Sequence, residues 1–90
     1  MKTVGRTSDG KIVVTEVFKF YETEGLPLDV ILETLRVRDM VPDWLAFVFE
    51  ATRAGMKFER ILSMLDAAIS DSYGSELRDV VISRLNKPPS

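Results

Sequence analysis

Ninety residues, 46% of them hydrophobic and 29% charged, are enough for one small domain with a core of its own and too few for a two-domain enzyme. Twelve basic side chains against fourteen acidic ones leave a net charge of −2, so the chain lacks the global positive field that draws proteins onto nucleic acid or anionic membrane. It contains neither cysteine nor histidine, which excludes disulfides, thiolate or imidazole metal ligands, cysteine nucleophiles and histidine general bases.

At the N-terminus, Lys2 is followed by no apolar run, so no secretory signal is expected. No later stretch approaches the roughly 18 apolar residues of a membrane span. The expected address is cytoplasmic, with no membrane partner. Ser8-Asp9-Gly10 is a turn signal, and the Lys11 to Thr15 segment after it is rich in β-branched residues. Thr3-Val4 pairing with Ile12-Val13 as a short β-hairpin is one expectation for this end, and a flexible arm over 1–11 is the other.

Helical spacing takes over from there. Val14, Val17, Phe18 and Tyr21 fall at i, i+3, i+4, i+7, as do Leu28, Ile31, Leu32 and Leu35. The pattern returns in Trp44, Phe47, Val48 and Ala51, again in Phe58, Ile61, Leu62 and Leu65, and more loosely in Leu77, Val80, Val81 and Leu85. Gly25, Gly55 and Gly74 sit where left-handed C-terminal caps belong, and Pro27 and Pro42 where a first helical turn tolerates a missing N–H. Asp43 places a carboxylate in the first turn of the third helix, and Ser75 is the expected N-cap of the last. The expected fold is all-α: a compact bundle of short helices made of two helical hairpins plus a C-terminal helix. The helical domain runs over 12–86, with its first helix starting between Ile12 and Glu16, and 87–90 form a disordered tail.

Sliding the chain by thirty residues lays Tyr21–Leu35 over Ala51–Leu65. Gly25 meets Gly55, Leu28 meets Phe58, Ile31 meets Ile61 and Leu35 meets Leu65, while upstream Val17 and Phe18 meet Phe47 and Val48. A unit of helix, glycine stop and acid-opened helix is used twice.

The inventory for catalysis is thin. Glu22 with Glu24, Asp39 with Asp43, and Asp66 with Asp71 are carboxylate pairs at helix ends or on polar faces, not on one buried face. Ser70 to Gly74 offers oxygen ligands but lacks the later bidentate glutamate of a calcium loop, and Gly5 and Gly10 precede no Gly-Lys-Ser/Thr. No enzymatic activity, cofactor or metal is expected.

Two binding chemistries remain. Ala51-Thr52-Arg53-Ala54-Gly55-Met56-Lys57-Phe58-Glu59-Arg60-Ile61 has a small residue, a glycine four positions later and a branched apolar residue six beyond. It resembles the helix-turn-helix signature over Phe47 to Asp66. The resemblance implies a second helix entering a DNA major groove, with Arg53, Lys57 and Arg60 as phosphate or base contacts. Phe58 and Leu62 at groove-facing positions, and Glu59 and Asp66 on the same helix, depart from that pattern.

The second chemistry is surplus apolar surface. Leu45 and Phe49 lie off the Trp44, Phe47, Val48, Ala51 stripe, and Phe20 flanks the stripe of the first helix. A bundle this small has room for only one fully surrounded helix, so one of these faces is expected to meet another chain. The favoured expectation is a non-enzymatic interaction module, a homodimeric regulator or assembly factor. It would dock through Phe20, Leu45 and Phe49 with Arg36 and Arg38 at the rim. DNA binding through Arg53, Lys57 and Arg60 is the alternative.

Overall fold

A computed structural model describes residues 1–86. The elements are β1 (Lys2–Arg6), β2 (Ile12–Thr15), α1 (Val17–Glu24), α2 (Leu28–Val37), β3 (Met40–Pro42), α3 (Trp44–Arg53), α4 (Phe58–Ser72) and α5 (Ser75–Leu85). The expected tail over 87–90 lies outside the described residues. Among the described residues five helices dominate, but the all-α expectation is overturned, because a three-stranded mixed sheet runs in the order β1-β2-β3. The fold is mixed α/β and mostly helical.

The hairpin forms where the turn signal placed it, in a different register. Thr3 faces Val14, Gly5 faces Val13 and Arg6 faces Ile12, with a bulge between Thr3 and Gly5. The connection closes through Thr7 N–H to the Lys11 carbonyl at 2.8 Å and Gly10 N–H to the Thr7 carbonyl at 3.0 Å, while the Thr7 hydroxyl donates to the Asp9 carboxylate. That bond holds the Asp9 carboxyl below its ordinary range.

The third strand had no visible signal of its own. Met40-Val41-Pro42 runs parallel to Ile12-Val13-Val14. The ladder is completed from outside the strand: Ile12 N–H donates to the Asp39 carbonyl at 2.9 Å and Asp43 N–H to the Val14 carbonyl at 2.8 Å. Pro42 can therefore end the strand without supplying a donor of its own. The start of the first helix moves to Val17 for the same reason, since 12–15 are committed to the sheet. Val14 matched the helical stripe because it is buried at 1% exposure on the core side of a strand, one of the few cases in which the two periods coincide.

The thirty-residue repeat has a structural counterpart. β2-α1-α2 and β3-α3-α4 are each a strand followed by two helices, and the two strands lie side by side. Val17 and Phe47, Ile31 and Ile61, and Leu35 and Leu65 are buried in both units, whereas Leu28 is buried and its counterpart Phe58 is exposed. Gly25 and Gly55 carry the positive φ values, +67° and +98°, that let both units turn between their helices. Phe18 packs edge-on to Phe47 at 5.4 Å between ring centres and joins the units in one core.

Caps differ from expectation at two ends. Asp43 is the N-cap of α3 and accepts the Ala46 N–H at 3.2 Å, while Gly74 precedes α5 and Ser75 is its first residue. Among the described residues, no helix is long and apolar enough to cross a membrane.

Candidate functional site

A groove of about 560 Å³ opens between the hairpin turn, the β3–α3 junction and α5. Trp44 and Leu45 form one wall from the first turn of α3, Leu77, Val80 and Leu85 form the other from α5, and Val13 and Val41 line it from the sheet. Its polar lining residues are few: Thr7 and Ser8 from the hairpin turn, Asp43, and Arg84. A cleft with apolar walls and sparse polar groups recognises apolar groups and uses its few charges for orientation.

Local sequence explains why the walls stay open. In α3 the stripe of Phe47 and Ala51 is fully consumed by the core, which leaves Leu45 and Phe49 on the outer side at 64% and 63% exposure. They stand one helical turn apart and so share a face. In α5 the adjacent Val80 and Val81 cannot both point inward: Val81 is buried and Val80 is 53% exposed. Trp44 is half-buried and stands edge-on to Tyr73 at 6.1 Å, which backs its wall of the groove with a second aromatic ring. The Tyr73 hydroxyl donates to the Met40 carbonyl at 2.9 Å, and burial pushes its pKa well above the ordinary tyrosine value. Lys11 lies 5.8 Å from the same ring, closing the cluster from the hairpin side.

The expected interface residues are therefore only partly brought together. Leu45 lines the groove, and Phe49 continues its face beyond the groove with the Arg53 guanidinium 5.8 Å from its ring centre. Phe20 lies elsewhere, half-buried in a shallow hollow with Met1, Lys19 and Thr23. Arg36 is paired with Glu33 at 3.7 Å, and neither Arg36 nor Arg38 lines the groove. The α5 wall was missed in the sequence, where the doubled valine at 80 and 81 was the available signal.

Around the α3–α4 corner, Arg53, Lys57 and Arg60 are all exposed. The corner is tight, closed by Gly55 N–H to the Thr52 carbonyl at 3.0 Å and Met56 N–H to the Ala51 carbonyl at 3.1 Å. The accessible side of α4 also carries Glu59, Asp66 and Asp71, and Phe58 is 39% exposed in its first turn, so no basic stripe runs along the helix. Asp66 is paired with Arg78 of α5 at 3.4 Å. Comparison with family models, with curated proteins and with solved structures finds no match to this chain.

Proposed function

We propose that this chain is a non-enzymatic protein-binding module that pairs with a second copy of itself through the outer face of α3, acting as a small regulator or assembly factor. The observation that carries this is the pair of large apolar side chains, Leu45 and Phe49, exposed on successive turns and continuous with the apolar groove. A single-helix stripe suits a two-fold partner: two copies of α3 crossing antiparallel set Leu45 of each near Phe49 of the other. Removing both from water supplies roughly 1.5–3 kcal/mol per side chain before the entropy of association is subtracted. A chain with no cysteine has no need of an oxidising compartment to fold, and the cytoplasm is its proposed address.

DNA recognition by the α3–α4 corner is supported by the exposure of Arg53, Lys57 and Arg60 and opposed by the acidic residues that share α4. Sedimentation equilibrium of the whole chain, with and without a mixed-sequence DNA duplex, separates the two. Concentration-dependent dimers that Leu45→Asp and Phe49→Asp convert to monomers with unchanged helicity support the module. A monomer at every concentration that binds duplex, weakly after Arg53→Ala or Lys57→Ala and with a flatter salt dependence, overturns it in favour of DNA.

A further inference from the structure

The hairpin presents a second surface, independent of the α3 face. β1 is exposed at every residue, and its principal neighbour is β2 alone. Which of its backbone groups are free follows from the other side of β2. Ile12 spends its N–H on the Asp39 carbonyl, and Val14 gives its carbonyl to Asp43 N–H, so both residues direct their backbone groups toward β3. In an antiparallel pair, residues opposite such positions turn their own groups outward. Thr3 faces Val14 and Arg6 faces Ile12, so the N–H and C=O of Thr3 and Arg6 point at the open edge. At the other margin of the sheet β3 is short and half-covered by α2, which leaves β1 as the available edge.

Charge selects what this edge can accept. The segment up to Thr15 carries Lys2, Arg6 and Lys11 against Asp9 alone, a net +2 in a chain of net −2. The bulge at Val4 shifts the alternation, so that Lys2 lies on the Thr15 face of the ribbon and Arg6 on the Ile12 face, one cation on each side. Arg6 holds the Gly10 carbonyl with one nitrogen at 3.2 Å and keeps the rest of its fork free. Like charges on an edge keep two copies of a hairpin from pairing. The same charges attract a strand of opposite sign. We infer that the outer edge of β1 takes up an acidic extended peptide as a fourth strand of the sheet.

The test uses the whole chain and two eight-residue probes that alternate valine with threonine and end in glutamates, or in lysines for the control. Amide hydrogen exchange read by NMR is expected to slow on the order of tenfold or more at Thr3 and Arg6 with the glutamate peptide, and not with the lysine peptide. Lys2→Glu with Arg6→Glu is expected to reverse the preference, and unchanged exchange within β2 shows that the hairpin still forms. The inference is overturned by binding that leaves Thr3 and Arg6 unprotected, by equal binding of both peptides, or by a short RNA or DNA duplex occupying the hairpin more tightly than the acidic peptide.

Discussion

The carboxylate of Glu50, midway along α3, accepts the backbone N–H of Glu16 at 3.1 Å and that of Lys19 at 3.4 Å, and so caps the first turn of a different helix. Glu16 is the N-cap of α1 but adopts a left-handed conformation, φ 65° and ψ 22°, and its own side chain makes no capping bond. One imported carboxylate thus serves both donors that a capping box satisfies with two local side chains. Its negative charge also complements the positive end of the helix dipole. Glu50→Ala is expected to lower stability in urea unfolding by about 1–2 kcal/mol, with Glu50→Gln losing less because its amide oxygen still accepts. Loss confined to the α1 amides in hydrogen exchange would identify the cap as the cause.

Among the described residues, two that are not glycine hold positive φ, Glu16 at 65° and Asp39 at 56°. Both stand where a chain leaves one kind of element for another, Glu16 between β2 and α1 and Asp39 between α2 and β3. Aspartate tolerates this region better than glutamate, because its short side chain bonds locally. Glu16→Gly is therefore expected to raise the midpoint of unfolding by the equivalent of about 1 kcal/mol, and Asp39→Gly by less. Equal effects, or a loss at Glu16, would show that its side chain contributes something beyond its strained backbone.

Tyr73 gives the fold an alkaline limit. Its hydroxyl is buried against the Met40 carbonyl, and burial raises its pKa above the ordinary value of 10.0, with the charge of Arg36 acting weakly the other way. Once pH passes about 10, the unfolded chain releases this proton while the folded chain keeps it. The unfolded state then binds fewer protons, so stability is complete below pH 10 and declines above it, at up to about 1.4 kcal/mol per pH unit. Tyr73→Phe is expected to flatten this decline while lowering stability near neutral pH by about 1 kcal/mol through the lost hydrogen bond. The fluorescence of Trp44, the sole tryptophan and a neighbour of Tyr73, follows unfolding in both proteins.

The helices were legible because apolar residues recur at 3.6-residue spacing, buried as full stripes in α2 and α4 and reduced to Val81 alone in α5, and because each meets a glycine or proline near an end. The strands were legible only where a turn signal stood beside them. Ser8-Asp9-Gly10 exposed the hairpin, but Thr7 meets Lys11 across that turn, so the register starts further out and Thr3 faces Val14 instead of Val13. Met40-Val41-Pro42 contains nothing that distinguishes a three-residue parallel strand from a loop ahead of a helix, since its pairing depends on Asp39 and Asp43 lying outside it. Leu45 and Phe49 were recognisable as surplus because α3 presents a clean core stripe to count against. Glu50 was not, because a carboxylate that caps a helix thirty-odd residues away leaves no local spacing to read.

Val80 and Val81 are neighbours in sequence that both line the groove but differ in burial, and the difference separates folding from docking. Val81 is 5% exposed within the core, whereas Val80 is 53% exposed on the wall of the groove. Val81→Ala removes buried methyl groups from a packed site and is expected to cost about 1–3 kcal/mol in urea unfolding. Val80→Ala is expected to stay within about 0.5 kcal/mol of the parent, as exposed substitutions do. If the groove shares in self-association with Leu45, Val80→Asp raises the dimer dissociation constant on the order of tenfold while leaving the unfolding of the dissociated chain unchanged. Unfolding that responds equally to both alanine substitutions would mean that Val80 is part of the core, and the groove would lose its α5 wall.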